Sequence, residues 1–246
     1  VLTLRRLWGS GRRGAGIMVG QAWSFAAGVV ALVVAVVSPL DALGEALFAA
    51  HMTQHLLLAL VAAPLLLAGR VHLVAFAVVG VGARRRYGRK LARLLRRIGP
   101  GGLVLAVAFH VGVTLAWHVP VLYDLAVSSP PVHALEHLSM LAGGLVFWAA
   151  LGASGPRPVA AAGIGAFGAA FTMILLSALL TFAPEPWYQA HETTAATWGL
   201  TPLEDQQLAA AIMWIPGGFV YLGAGVWAMV RWLRHDQRRI AALRTP

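Results

Sequence analysis

This sequence of 246 residues contains no cysteine. Disulfide bonds, thiolate metal sites and thiol catalysis are therefore excluded within these residues. Charged residues are scarce as well, since they make up 11% of the chain whereas hydrophobic residues make up 59%. A soluble domain contains about 25% charged residues. The composition is therefore typical of a polytopic membrane protein.

Acidic residues are fewer than basic ones. The chain has nine Asp and Glu and nineteen Lys and Arg, which gives a formal net charge of +10. The basic residues occupy four stretches that alternate with long apolar runs: 5–13, 70–97, Arg157 and 231–244. When the runs are threaded back and forth, every basic stretch lies on one face, and every acid except Asp236 lies on or near the other. Basic residues resist translocation, so the basic face is predicted to be cytoplasmic. Membrane lipid, and not nucleic acid, is the expected partner of this charge.

The long apolar runs predict an all-α fold, a polytopic transmembrane helix bundle that forms a single domain over residues 1–246. Each run is close to the roughly 20 residues needed to cross the hydrocarbon core. Both termini are predicted to be cytoplasmic. The first run follows a basic stretch, and we interpret it as a retained helix and not as a cleaved signal peptide. The six predicted spans are 17–37, 46–68, 102–119, 132–151, 159–182 and 208–230.

The connection between the second and third spans contains two further segments. Residues 71–81 are apolar but too short to cross, so they are interfacial, buried, or a partial seventh span. Residues 84–98 place apolar side chains at helical spacing among basic ones, which predicts an amphipathic helix on the inner leaflet. A solvated basic loop is the alternative for that segment.

Three helix starts on the acidic face are marked by a hydroxyl residue followed by proline. Thr201 precedes Pro202 and Glu204, which is the pattern of a capping box. Residues 38–41 repeat this pattern with Asp41 in the Glu position, and residues 129–130 predict the start of the fourth span.

Histidines are concentrated in the predicted membrane region, where ionisable side chains are costly and indicate function. The second and fourth spans each contain an HxxxH pair, and residues four apart lie on the same helix face. Both pairs lie in the half of the bundle away from the basic face, at a depth similar to that of a histidine ending the third span. We therefore predict that one or two transition-metal ions bind there, on the extracytoplasmic side. The predicted ligands are His51, His55, His118, His133 and His137.

Six further residues are candidates for the same site. Met52 and Met140 offer softer thioether ligands, and Glu136 is predicted to orient an imidazole or to bind the metal itself. The remaining three each have a structural alternative: a hydrogen-bonded core residue for His110, a mobile surface residue for His191, and a simple helix-start residue for Asp205.

Three functional classes remain open on these residues alone. The first is a metal-binding protein without turnover, in which copper and zinc are not distinguished because imidazole accepts both. The second is a membrane protein with bis-histidine haem. The third is a metal-dependent intramembrane enzyme, since HALEH at 133–137 matches the H-x-x-E-H zinc-peptidase pattern. This pattern is short and lacks a separate acidic third ligand, so an enzyme is the less favoured class.

Four sequence blocks resemble the integral-membrane CtaG family of caa3-type cytochrome c oxidase assembly factors. They are HMTQHLLL (51–58) with APLL (63–66), WHVPVLYD (117–124), VHALEH (132–137), and DQQLA (205–209) with MWIPGG (213–218). The resemblance runs from about residue 40 to 230. It implies a bacterial plasma-membrane protein that handles copper during oxidase maturation, with oxidase subunits or other assembly factors as partners. The family is typically described with about seven helices, against the six spans predicted here.

Overall fold

The computed structural model of this chain describes residues 18–71, 100–153 and 158–244. Within these ranges the secondary structure is helical, with no strand, and the predicted all-α fold is confirmed. The amphipathic segment predicted at 84–98 lies outside the described residues. So does the possible seventh span at 71–81, apart from Val71.

Within each described range, most helices follow one another with short connections. Two 3-10 turns, Gln189–His191 and Ala195–Trp198, lie in the longest described connection. The helices are α1 (Val19–Val36), α2 (Pro39–Ala46), α3 (Phe48–Leu56), a π-helical segment (Leu57–Ala62), α4 (Ala63–Ala68), α5 (Pro100–Trp117), α6 (Pro120–Ser128), α7 (Pro130–Ala153), α8 (Pro158–Thr181) and α9 (Pro202–Arg244).

Among the described residues, five helices are long and apolar enough to cross a membrane: Val19–Val36, Phe48–Ala68, Pro130–Gly152, Ala162–Thr181 and Pro202–Arg234. They correspond to five of the six predicted spans. The chain therefore has the helices of a multi-pass membrane protein.

The predicted third span differs from the expected single helix. Gly102–Trp117 qualifies as a span only together with α6, and the two helices are bent by 73°. Val119 at the break has extended backbone, with φ −69° and ψ 123°. A residue before proline is disfavoured in the helical region, so Pro120 ends one helix and starts the next. Six is thus the upper count of spans in the described residues.

The two predicted capping boxes have different outcomes. At the start of α9, the Thr201 backbone N–H donates to the Glu204 carboxylate (2.8 Å), and the Glu204 N–H donates to the Thr201 hydroxyl (3.2 Å). This box is confirmed. At the start of α2, Ser38 accepts from the Leu40 N–H (3.1 Å), but Asp41 accepts from a side chain of the second span instead.

The π-helical segment in the second span explains how Pro64 is accommodated within a membrane helix. Proline has no N–H and clashes with the carbonyl four residues earlier. Here the Ala63 N–H donates to Leu58 O, five residues back, which leaves Ala59 O without its usual donor. The Trp148 indole N–H on α7 donates to Ala59 O (2.9 Å). A neighbouring helix thus donates the hydrogen bond that this carbonyl could not obtain from the lipid hydrocarbon.

One end of the bundle is covered by α2, α6 and residues 182–201, and we call it the loop end. Several side-chain bonds tie this cover to the helices. Thr194 donates to Ala46 O (2.7 Å), and the Tyr188 hydroxyl donates to His118 O (3.1 Å). Asp124 on α6 accepts from the Ala190 N–H (3.1 Å). The cover therefore lies directly over the ends of the spans that contain the HxxxH pairs.

Candidate metal centre

The two HxxxH pairs lie against each other at the loop end. His51 and His55 project from α3, and His133 and His137 from α7. The ring centroids of His51 lie 5.2 Å from His133 and 5.7 Å from His137, and those of His55 and His137 are 5.6 Å apart. Within each helix the two ring centroids are also close, 4.5 Å apart for His51 and His55 and 4.2 Å apart for His133 and His137. The structure thus brings four of the five predicted ligands into one cluster.

Glu136 lies inside this cluster and is completely buried. One carboxylate oxygen is 3.2 Å from His51 Nε2 and the other is 3.3 Å from His55 Nε2. Neither approach has the geometry of a hydrogen bond, and neither oxygen has a hydrogen-bond partner among the described residues. The carboxylate therefore faces the imidazole nitrogens of the neighbouring helix at contact distance.

The imidazoles also present unpaired nitrogens. These are Nε2 of His51, His133 and His137, and both ring nitrogens of His55. Buried polar atoms are almost always hydrogen-bonded, because leaving one unpaired costs about 1–3 kcal/mol. A cation bound among these atoms would satisfy several of them at once. The residues present therefore fit a transition-metal ion, with a carboxylate and neutral imidazoles as ligands.

Three overlapping groups have donor atoms that all lie within 4.8 Å of one another. They are His51 with His55 and His137; His51 with His133 and Glu136; and Asp41 with His133 and His137. Ligands about 2.0–2.2 Å from one shared ion lie at most about 4.4 Å apart, so small side-chain movements suffice. The groups share members, which is compatible with one ion or with two neighbouring ions.

Asp41 is the member that sequence reasoning missed. It was assigned to the start of α2 because of its position after Ser38 and Pro39. In the structure, the Gln54 amide donates to Asp41 Oδ1 (2.9 Å) and to Ala35 O (2.7 Å). Gln54 lies between the two histidines of α3, so it holds Asp41 beside the cluster. The available signal was a carboxylate on a short helix that leads directly into an HxxxH helix.

His118 adjoins the cluster but is not a member of the three groups. Its Nδ1 donates to Thr114 O (2.6 Å), which fixes the tautomer and leaves Nε2 available. Nε2 has no partner and the side chain is buried. His118 lines a small cavity together with His55, and the candidates Met52, Met140 and His110 line the same cavity. His110 Nε2 there is hydrogen-bonded to the Tyr221 hydroxyl.

His191 is buried, so the interpretation as a mobile surface residue is wrong. Its Nε2 is hydrogen-bonded to the Tyr123 hydroxyl (2.7 Å). The Tyr123 ring lies 5.8 Å from His191 and 5.0 Å from His51, so it stands between the two histidines. Burial lowers the pKa of His191 to about 4, so this ring is neutral at neutral pH.

Asp205 hydrogen-bonds to the backbone at the start of the second span. Its two carboxylate oxygens accept from the N–H groups of Phe48 (2.7 Å) and Ala49 (3.0 Å). These are the first residues of α3, whose N–H groups have no partner within the helix. Asp205 itself lies in the first turn of α9, so one carboxylate faces the positive ends of two helix dipoles. It positions α3, and with it His51 and His55.

Comparison with known protein families matches residues 1–235 to the cytochrome c oxidase caa3 assembly factor family (Caa3_CtaG). Comparisons with curated proteins and with solved structures find no match. The matched region includes the whole histidine cluster, Asp41, Glu136 and Asp205.

Proposed function

Because this chain belongs to the caa3-type cytochrome c oxidase assembly factor family, we propose that it supports oxidase maturation by binding a transition-metal ion inside its helix bundle. The observation that carries this proposal is Glu136, a fully buried carboxylate without a hydrogen-bond donor, held against two imidazoles. The proposed ligands are His51, His55, His133, His137, Glu136 and Asp41.

Charge balance supports a divalent ion at this position. An isolated buried carboxylate is expensive in a low-dielectric environment, and so is an isolated ion. The neutral imidazoles add no charge, whereas Glu136 and the half-buried Asp41 together balance one divalent cation. Binding of the ion therefore offsets both the cost of the buried carboxylate and the cost of the buried ion.

The geometry supports an ion over haem. The cavity that adjoins the cluster has a volume of about 10 Å³, which is room for roughly one water molecule. Two larger cavities in the described residues, of about 590 and 650 Å³, have no histidine in their walls. A porphyrin between the HxxxH pairs would require the helices to separate.

The position of Glu136 supports binding without bond cleavage. In H-x-x-E-H peptidases the glutamate is a general base beside a metal that keeps one open coordination position. Here both Glu136 oxygens face His51 and His55 of the other helix, and the carboxylate has no exposure to solvent. That arrangement suits a ligand better than a base that must meet substrate and water.

Copper is the metal that we propose as cargo. Imidazole-rich sites bind Cu²⁺ more tightly than the other divalent ions of the first transition row. The family matures a cytochrome c oxidase, and we propose that oxidase subunits or other assembly factors receive the metal. The cluster is compatible with zinc, which the following experiment would detect as well.

The double substitution His51→Ala/His55→Ala tests this proposal. It removes two ligands from α3 but leaves the apolar span unchanged. The protein purified without an affinity tag is expected to contain stoichiometric copper or zinc, and the variant to lose it. Elemental analysis gives the metal content, and oxidase activity in a strain lacking the native protein gives the function. The variant is expected to insert in the membrane and to fail in complementation.

Thr53→Ala is the matched control, because Thr53 lies between the two histidines and its hydroxyl donates to Ala49 O of its own helix (2.8 Å). It should retain both metal and function. Full complementation by the double histidine variant would overturn the metal-binding proposal. A Soret band in the purified wild-type protein would select the haem alternative.

We further propose that the protein lies in the bacterial plasma membrane with the loop end on the extracytoplasmic side and both termini in the cytoplasm. The absence of Lys and Arg from residues 183–207 supports this orientation, since basic residues are retained in the cytoplasm. Reporter fusions at Ser154 and at His191 should read cytoplasmic and external, respectively. The same compartment for both would contradict the proposed topology.

A further inference from the structure

We propose that the cavity beside the histidine cluster is a second metal site, selective for monovalent copper and formed by methionine thioethers and imidazoles. The inference rests on the proposed metal-binding function and extends it with a distinct ligand set. The ligands are Met52, Met140, Met173 and Met213, together with His55 and His118.

The methionines converge from four different helices. Met52 lies on α3, Met140 on α7, Met173 on α8 and Met213 on α9, and all four line one cavity of about 10 Å³. Their exposed fractions are between 1% and 8%. The chain has six methionines, and the described structure places four of them on this cavity. A cavity of this size accommodates a single ion and no larger ligand.

Methionine is also a flexible filler of irregular core gaps, so buried methionines alone would not indicate a metal. The histidines provide the second observation. His55 and His118 are each only 4% exposed, yet in the described part of the chain Nδ1 of His55 and Nε2 of His118 have no hydrogen-bond partner. A gap filled for packing alone gains nothing from unpaired nitrogens on two of the side chains that line it, because each one costs free energy. A bound cation would satisfy both.

The ligand set determines which ion fits. Among the described residues that line the cavity there is no carboxylate, so its ligands are neutral. The charge of a divalent ion would not be balanced there. This is unfavourable because the free energy of burying an ion rises with the square of its charge. Thioether ligands favour Cu(I) over harder ions. The cavity therefore selects monovalent copper, and the carboxylate-containing cluster at the loop end selects divalent ions.

His55 is a candidate ligand of both sites, but a neutral imidazole has one nitrogen free of hydrogen and therefore binds one ion at a time. His55 lines the cavity and is also grouped with His51 and His137 in the first cluster. The two sites are therefore adjacent, at different depths along α3. The proposal concerns copper that is bound as Cu(I), and it includes no redox step.

Met173→Leu/Met213→Leu separates the second site from the first, since neither residue belongs to the cluster at the loop end. The exchange conserves volume, so the fold should tolerate it. In the purified full-length protein, competition with a chromophoric Cu(I) chelator is expected to show an affinity loss on the order of 10–100-fold. X-ray absorption of the Cu(I)-loaded wild type should show sulfur scattering, and the variant should lose much of it. Zn²⁺ binding should be unchanged.

Met229→Leu is the control, because Met229 is on the same helix as Met213 but is 41% exposed. It should bind Cu(I) as the wild type does. Unchanged Cu(I) affinity in the double methionine variant, or wild-type Cu(I) with nitrogen scattering only, would overturn the second site and leave the proposed function standing. Loss of divalent metal in His51→Ala with Cu(I) retained would support two separate sites. A wild type that binds neither ion would overturn both proposals.

Discussion

Replacing Glu136 by Gln is expected to lower the affinity for divalent metal by at least about 10–100-fold, the loss that follows when even a residue that only orients a ligand is replaced. The change preserves shape but removes the negative charge from the centre of the histidine cluster. Glu136 is completely buried, and its oxygens lie 3.2 and 3.3 Å from two imidazole nitrogens. Without this charge, Asp41 alone would balance the ion. Titration of purified protein with Zn²⁺ or Cu²⁺ measures the effect.

Glu45→Gln is the matched control, since Glu45 is an exposed carboxylate on α2 at the same end of the bundle. It removes the same charge and should leave the affinity nearly unchanged. The functional assay distinguishes a ligand from a general base. If Glu136 is a ligand, the metal content and oxidase maturation should decline together in Glu136→Gln. Complete loss of function with full metal content would contradict the proposal and favour an enzyme.

Replacing Asp205 by Ala is expected to destabilise the protein by about 2–4 kcal/mol, because two backbone N–H groups lose a charged acceptor. Both donors, Phe48 and Ala49, are buried and lie more than 150 positions away in sequence. The first turn of α3 should then open, and metal affinity should fall through displacement of His51. Thermal unfolding in detergent measures the stability, and hydrogen exchange of residues 47–52 reports on the turn.

Glu204→Ala is the comparison, one residue earlier in the same helix. Glu204 is exposed, and its carboxylate accepts from Thr201 within its own capping box. Its loss should reduce stability far less and leave the exchange of residues 47–52 unchanged. Equal effects of the two substitutions would contradict the bridging role of Asp205, because a local cap does not reach α3.

That the two histidines of each HxxxH motif share a helix face was predictable, because it depends on helix geometry alone. Residues four apart share a helix face whatever the tertiary structure, so 51 with 55 and 133 with 137 had to project together. Both spans also enter the membrane from the same face, so the two pairs were expected in the same half of the bundle. The positions of the spans were predictable for a similar reason, since a bilayer of fixed thickness demands apolar runs of fixed length.

The break in the third span was only partly predictable. Pro120 disfavours a helical Val119, and this is a local effect visible in the sequence. The angle of 73° between the two helices is set by packing. Likewise, Pro64 predicts a disturbed helix. The donor to the carbonyl left without a partner is Trp148, which lies on another span.

The sequence by itself determined the helical class, the apolar spans and the two histidines that share a face in each HxxxH motif, since each depends on spacing within one segment. The tertiary structure alone decided the roles of Asp41, Asp205 and His191. Asp41 joins the cluster through Gln54, Asp205 holds the start of α3, and His191 is buried behind Tyr123. Each role depends on a partner from another helix or loop. Local periodicity contains no information about such partners, because packing of the whole bundle selects them.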